Sequence, residues 1–437
     1  MITGKGTRLN EFSKFDSVTA ARAIEEYGSP LYIYDEDAIL ARCEDCIKMP
    51  NAYGLTVRYA LKANPNRTLL KKISEAGLKF DASSLNEVRR AHLAGIPYKD
   101  IMLTSQEVYE GDDMAALESL LLEGLQYNVC SLRQLYLIGD FACKNSIEPG
   151  IRIKPGVGSG ESASRTTGDD YSCFGIHEND FEEALKYAWG KWIKFKHVHV
   201  HIGSGADPEV WRENIDIELD LVAKYFKETE SIGFGGGFKV ARMPDENQAD
   251  IEELGKYAKA QIEKFNKKHK RKLKAEIEPG TYIVGNAGFA VTKVIDIKST
   301  PFADFIMING GMEMNARPLM YGSRHPFYVI SADGNKLLSS DFGEIPDDYE
   351  AVIAGKCCES GDCQTLDKDG GAITRKIAKP EIGDIVVIGG AGAYCSSMAP
   401  FNYNSFTQAP ELLLSVDGSL KLIRKRQTLE QMLANEV

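Results

Sequence analysis

Short apolar runs that end in polar or glycine positions alternate with stretches of helical periodicity along the first two-thirds of this chain. The runs fall at 57–61, 80–82, 101–103, 125–129, 150–153, 197–200 and 275–277. Segments 66–76, 84–94, 112–122 and 131–141 between them carry helix formers at helical spacing. Repeated strand–helix units predict a parallel sheet. About eight units over about 250 residues is the size of a (β/α)8 barrel, with an open doubly wound sheet as the competing architecture. Ahead of these units, 31–34 predicts a short strand and 36–48 a helix. Beyond Val291 the period changes. Strand-like runs at 291–297, 302–308, 327–330, 351–353, 384–388 and 412–416 are separated by turn signals, and no long helical pattern returns before 427–435. The expected organisation is an α/β barrel over 36–290 and a C-terminal β-domain, sandwich- or barrel-like, over 291–437, which also takes up an N-terminal strand from 1–35.

Length and charge narrow the picture. A chain of 437 residues exceeds one ordinary domain. Its formal charge of −11 argues against a nucleic-acid partner. The basic run 264–272 reads as a solvated helix end. The first twenty residues lack a signal-peptide core, and no stretch is apolar enough to span a bilayer, so no membrane association and a cytoplasmic location are expected. The nine cysteines fit that compartment as free thiols. Cys43 and Cys46 have CxxC spacing without a partner pair, which suits a helical pair better than a metal site.

Against this frame, several short sites point to chemistry. Lys62, in Tyr59-Ala-Leu-Lys62-Ala-Asn64, ends an apolar run. A lysine at the end of a barrel strand faces the active-site mouth and can attack an aldehyde; taken alone, it reads first as an ordinary surface lysine. His197, His199 and His201 alternate, as on one strand face, and His201 runs straight into Gly203 and Ser204. That face could hold a metal, but stacking of His201 on a flat ring is favoured, and no metal is expected. Gly235, Gly236 and Gly237 can turn backbone amides toward an anion, or form a plain turn. Glu278, in Glu278-Pro-Gly280, could face a pyridine nitrogen and keep it protonated, or mark a strand–turn junction. Arg317 and Tyr321 follow a glycine pair and suit a substrate carboxylate; the alternative is a surface arginine. Cys358 could donate a proton, or be a buried structural cysteine. Tyr394 lies in a glycine-rich loop, open to a ligand or simply packed. In that order and number, these sites suggest pyridoxal phosphate bound through Lys62 with its phosphate on backbone amides.

Together they resemble the barrel-fold pyridoxal phosphate decarboxylases, and within them most closely the diaminopimelate decarboxylase family. The most specific matches are Tyr59–Asn64, His201-Ile-Gly-Ser204, Glu278-Pro-Gly280, Cys358-Glu359-Ser-Gly-Asp362, and Tyr394 with Asn402-Tyr-Asn404. The resemblance implies that Lys62 carries the cofactor and that His201 stacks on its ring. It implies that Gly235, Gly236, Gly237 and Gly280, with Ser204 and Thr281, bind the phosphate, and that Glu278 pairs with the ring nitrogen. Arg317, Tyr321, Glu359 and Tyr394 would contact substrate, Tyr394 also bordering the cofactor. Cys358 would protonate the carbon after carbon dioxide departs. Members of the family are homodimers with shared active sites.

The implied reaction is meso-2,6-diaminopimelate to L-lysine and carbon dioxide. The chain departs from the family pattern on the substrate side. Thr281 stands where the family has Arg, Gly390 where it has Asp, and an extra residue sits near Pro400-Phe401. Arg317 or Arg324 could replace the missing cation. The alternative is decarboxylation of a related substrate: a basic D-amino acid, or a carboxylated polyamine or siderophore precursor. A racemase would need a tyrosine base instead of the Cys358 loop, and a non-catalytic binding protein would not require Lys62, His201, Glu278 and Cys358 together.

Overall fold

The computed structural model describes residues 7–8, 13–160, 166–205, 207–346 and 349–437. Residues 1–6 and 9–12 of the expected N-terminal segment therefore lie outside the described residues. The chain forms two compact units that interleave in sequence. One comprises Arg42–Lys239 and Gln248–Tyr282; the other comprises Met1–Ala41, Val240–Asn247 and Ile283–Val437.

The chain opens with α1 (Ser17–Tyr27), β1 (Leu31–Asp35) and α2 (Glu36–Ile47). It then alternates through β2 (Leu55–Ala60), α3 (Arg67–Glu75), β3 (Lys79–Ala82), α4 (Leu85–Leu93), β4 (Ile101–Leu103), α5 (Gly111–Leu122), β5 (Gln126–Val129), α6 (Leu132–Asn145), β6 (Gly150–Arg152), α7 (Phe181–Gly190), β7 (His197–His199), α8 (Pro208–Lys224), β8 (Ser231–Gly233), α9 (Ile251–His269) and β9 (Lys274–Ile277). Strands β2 to β9 close into a parallel barrel, with β2 pairing β9 from Leu55↔Ala275 to Val57↔Ile277. The competing open sheet is thereby excluded. The sequence marks where many of the helices start. Asn66, Ser84, Ser131, Asp207 and Asp250 each accept an amide of the first turn. The basic run 264–272 spans the C-terminal end of α9, where Lys267, Lys268 and His269 face the negative end of the helix dipole. β8 is only three residues long, so its pattern was too short to separate from a turn.

The second unit contains a mixed sheet. After the short α10 (Thr281–Val284) come β10 (Gly288–Ser299), β11 (Asp304–Ile308), α11 (Arg317–Tyr321), β12 (Phe327–Ile330), β13 (Leu337–Ser340), β14 (Glu350–Ala354), β15 (Arg375–Lys376), β16 (Ile385–Ile388), β17 (Glu411–Leu414) and β18 (Leu420–Arg424). The order is β13-β12-β16-β10-β1-β17-β18, with β11, β14 and β15 branching from β10. The N-terminal strand β1 joins this sheet, antiparallel to β10 and parallel to β17. Helix α1, which no pattern announced, packs Ala20, Ala23 and Ile24 into the apolar core with Leu31, Ile33, Phe289, Val291, Tyr328, Val387 and Leu412. The helix expected at 427–435 is confined to α12 (Leu429–Met432).

Candidate active site

Strand alternation sends every second side chain of the barrel inward, and here many of those side chains are polar. Arg58 Nε donates to Glu276 Oε2 at 2.6 Å, and its Nη2 reaches across the barrel to Gln126 Oε1 at 2.7 Å. Burial opposes the charge on Glu276, but His197 and Arg58 outweigh it and hold its pKa below the usual range. His199 Nε2 meets Glu278 Oε2 at 2.9 Å, spanning the intervening strand β8. Gly233 makes this reach possible: a Cβ there would sit 3.0 Å from the His197 ring and 3.3 Å from that of His199.

Hydrogen bonds continue the barrel past its strand ends and gather the site. Val200 N donates to Gly233 O, Glu278 N to Gly235 O, and Ala60 N to Pro279 O, at 2.8, 2.9 and 3.2 Å. The ends of β7, β8, β9 and β2 are thus joined edge to edge. Lys62 stands exposed on a single 3-10 turn, Leu61–Ala63, just beyond β2. Tyr59 Oη tethers that turn by donating to Asn64 O at 3.1 Å. Gly280 packs beneath it, with its missing Cβ 3.1 Å from Ala63 Cβ. The triple glycine is required by its surroundings. Gly235 and Gly237 have φ of 70° and 87°, and a Cβ on Gly236 would fall 2.1 Å from the Glu278 carbonyl oxygen. Gly236 N donates to His201 Nδ1 at 3.2 Å, which leaves the ring proton on Nε2.

Burial dominates the electrostatics. It pushes His199 down to about 3, with the Arg152 guanidinium adding to the effect. It also holds His201 well below the usual histidine range, helped by Lys62 and Arg152. The His199–Glu278 contact is therefore a neutral imidazole N–H donating to a carboxylate rather than an ion pair. Burial raises Glu278, against the pull of nearby cations. Asp81 on β3 is raised to about 7 by burial and by the Glu278 charge, with Lys62 acting in the opposite sense.

The second unit holds its own cluster. Arg317, at the start of α11, is 2% exposed, so it is no surface arginine. Its guanidinium lies 5.8 Å from the Tyr321 ring centre and 6.0 Å from that of Tyr394. Tyr394 has φ of 57°, an uncommon conformation for a bulky residue. Cys358 is exposed; its amide donates to Asn404 Oδ1 at 2.8 Å, and Tyr403 Oη bridges Cys358 O and Glu359 Oε2 at 3.2 Å each. Asp362 anchors the loop, with its carboxylate accepting Met312 N at 2.6 Å and Cys357 N at 2.7 Å. Gly311 and Gly355 leave room for it, since a Cβ on either would come within 2.2 Å of that carboxylate. Glu313, Cys357 and Asp362 lie within 4.8 Å of one another; the two amides on Asp362 make this cluster loop architecture. Arg324 is engaged by Asp245 at 2.9 Å and Glu246 at 3.5 Å. At Gly390, Arg242 Cδ lies 2.9 Å from where a Cβ would be, and its Nε donates to the Gly390 carbonyl.

A family model described as pyridoxal-dependent decarboxylase, pyridoxal binding domain, matches residues 37–285. The diaminopimelate decarboxylase of Escherichia coli (strain K12) is 32% identical, over 98% of this chain and 99% of that protein. The chain belongs to the diaminopimelate decarboxylase family. A crystal structure of diaminopimelate decarboxylase superposes with a TM-score of 0.86 at 30% identity, covering 96% of both chains. The M. jannaschii diaminopimelate decarboxylase in co-complex with L-lysine gives a TM-score of 0.81 at 26% identity, covering 100% of this chain and 99% of that one. Family membership makes the chain a carboxy-lyase with pyridoxal phosphate as its cofactor.

The barrel fits that cofactor. It combines an amine at a strand end, a glycine cradle in which side chains would collide, a flat neutral imidazole and a buried carboxylate. The barrel unit brings together Lys62, His201, Ser204, Gly235, Gly236, Gly237, Glu278, Gly280 and Thr281, while the second unit groups Arg317, Tyr321 and Tyr394 and, on its own loop, Cys358 with Glu359. Sequence reasoning missed Arg58, Asp81, Arg152 and Glu276, and left His199 without a role. Their signal was a polar residue at alternate positions of otherwise apolar strands. Among the described residues, no helix is long and apolar enough to cross a membrane, and all nine cysteines are free.

Proposed function

We propose that the chain decarboxylates meso-2,6-diaminopimelate to L-lysine and carbon dioxide, as a cytoplasmic homodimer with shared active sites. The observation that carries this reading is the convergence of the Lys62 turn, the His201–Gly236 hydrogen bond and the His199–Glu278 pair on one end of the barrel. Lys62 Nζ holds the cofactor. The amides of Gly235, Gly236, Gly237 and Gly280, with Ser204 and Thr281, take its phosphate. His201 presents a neutral ring face, and Glu278 serves the ring nitrogen. Bound pyridoxal phosphate supplies the electron sink for the electron pair left when a carboxylate departs. Arg317 is a buried guanidinium beside two phenols, which suits a carboxylate of the substrate. Tyr321, Tyr394 and Glu359 complete the substrate contacts, and Cys358 Sγ returns a proton to the substrate carbon.

A second reading is supported by Thr281 and by the engagement of Arg324 with Asp245 and Glu246. Thr281 carries no charge and Arg324 is engaged, so unless Arg317 supplies the missing cation the substrate would be a basic D-amino acid or a carboxylated polyamine or siderophore precursor. Carbon dioxide release by the purified protein with added cofactor decides between them. Turnover of meso-diaminopimelate to lysine supports the first reading. Turnover confined to substrates without a distal carboxylate replaces it with the second. Absence of cofactor uptake overturns both.

A further inference from the structure

His199 is buried, 1% exposed, and one of its ring nitrogens meets Glu278 at 2.9 Å. We propose that His199 is a positioning residue for Glu278, its Nε2–H fixing one carboxylate oxygen and leaving the second available to the cofactor. The inference deepens the proposed function and rests on the assignment of Glu278 made there.

Four observations carry it. The contact crosses a strand: β7 and β9 are separated by β8, and the imidazole reaches over Gly233, where a Cβ would crowd it at 3.3 Å. A histidine present only to fill the core would serve better as an apolar residue, because its other nitrogen, Nδ1, is buried without a hydrogen-bond partner. Glu278 is itself 8% exposed, so a carboxylate there needs donors, and the hydrogen bond from His199 is the one given to its side chain among the described residues. Finally, the backbone on both sides of the pair is held, by Ile153 N donating to His199 O and Glu278 N donating to Gly235 O, each at 2.9 Å. The hydrogen bond therefore joins two fixed points rather than two mobile side chains. Burial, with Arg152, keeps the imidazole neutral, so its single ring proton is committed to the carboxylate.

The test separates the hydrogen bond from its consequence. In 15N-histidine-labelled apoenzyme, the His199 resonances are assigned by their absence in His199→Gln. They are expected to report the neutral Nε2–H form throughout pH 5 to 8, and to change in Glu278→Gln. An imidazole that titrates in that range, or carries its proton on Nδ1, overturns the proposal whether or not cofactor binds. For the consequence, His199→Leu is expected to weaken pyridoxal phosphate binding by about tenfold to a hundredfold, the range for losing a hydrogen bond to a charged group. It should also shift the pH dependence of the cofactor's visible absorption, whereas His199→Gln, which keeps an N–H donor, recovers most of both. Unchanged affinity and an unchanged pH profile in a folded His199→Leu overturn the positioning role. A wild-type protein that takes up no cofactor overturns the proposed function instead, and the apoenzyme spectra still decide the hydrogen bond.

Discussion

The interior of the barrel and the interior of the second unit are made of different materials. Arg58, Asp81, Asn128, Arg152, His197, His199 and Glu276 are all buried on inward positions of barrel strands, and Glu278 is buried just beyond β9. The mixed sheet instead buries Phe15, Ile24, Leu31, Ile33, Phe289, Val291, Ile330, Ile385, Val387 and Leu412. Barrels are ordinarily filled with branched aliphatic layers. Buried charges are weak contributors to stability, because desolvation offsets most of their attraction. The difference teaches where function lies. The sheet holds its shape by apolar packing, while the barrel gives up such packing to hold hydrogen-bonding groups beneath the lysine and glycine loops of its C-terminal end.

The contrast can be broken most forcefully at Lys62. Lys62→Ala should lower decarboxylation by on the order of 10³-fold or more and abolish the cofactor's visible band, while the thermal unfolding midpoint of the apoenzyme stays close to wild type. A large drop in that midpoint would give the barrel mouth a structural role. Next come the charges below it. Arg58→Met alone leaves Glu276 buried and unpaired and should destabilise by about 3–5 kcal/mol, whereas Arg58→Met with Glu276→Met should be near neutral. Denaturant unfolding of the four members of that cycle measures the coupling. If the double variant is as unstable as the single, the pair is structural and the contrast with the sheet fails.

In the sheet, Phe289→Ala should cost about 3–5 kcal/mol through the cavity it leaves, with cofactor affinity unchanged in the protein that remains folded. Equilibrium unfolding and a cofactor titration check both halves. The smallest effect concerns pH. Asp81 holds its proton up to about 7 in the folded apoenzyme, but ionises near 4 when unfolded. The folded state thus binds the extra proton between these values. The stability it contributes is present below about pH 4 and is lost as pH rises toward 7. Unfolding midpoints of apoenzyme across pH 5 to 8 should slope downward less steeply in Asp81→Asn, and substitutions in the sheet core should leave the slope alone.

Legibility divides along similar lines. Most of the barrel strands and the helices between them were readable because strand–helix alternation is a local pattern, and Asn66, Ser84, Ser131 and Asp250 cap helices where the pattern changes. The motifs proposed for the cofactor stood out because glycine and lysine at strand ends are conspicuous. Arg58, Asp81 and Glu276 were not, since one polar residue in a short apolar run has no meaning until its partner, 218 residues away for Arg58 and Glu276, is in contact. Helix α1 escaped because its apolar positions are mostly alanines. β8 was marked only as a short apolar segment ahead of the triple glycine, because three residues, one of them glycine, set no period.

By itself, then, the sequence determined the alternating elements, the change of period near Val291, the turn chemistry of the glycine loops and the short motifs that carry the family resemblance, because each depends on neighbours within a few positions. Only the tertiary structure decided that the barrel closes from β2 to β9, that Arg317 is buried beside two phenols, and that His199 reaches Glu278 over a glycine. Those facts join residues far apart in the chain. Burial then sets their charge states, and neither the contacts nor the loss of water is visible until the strands are in register.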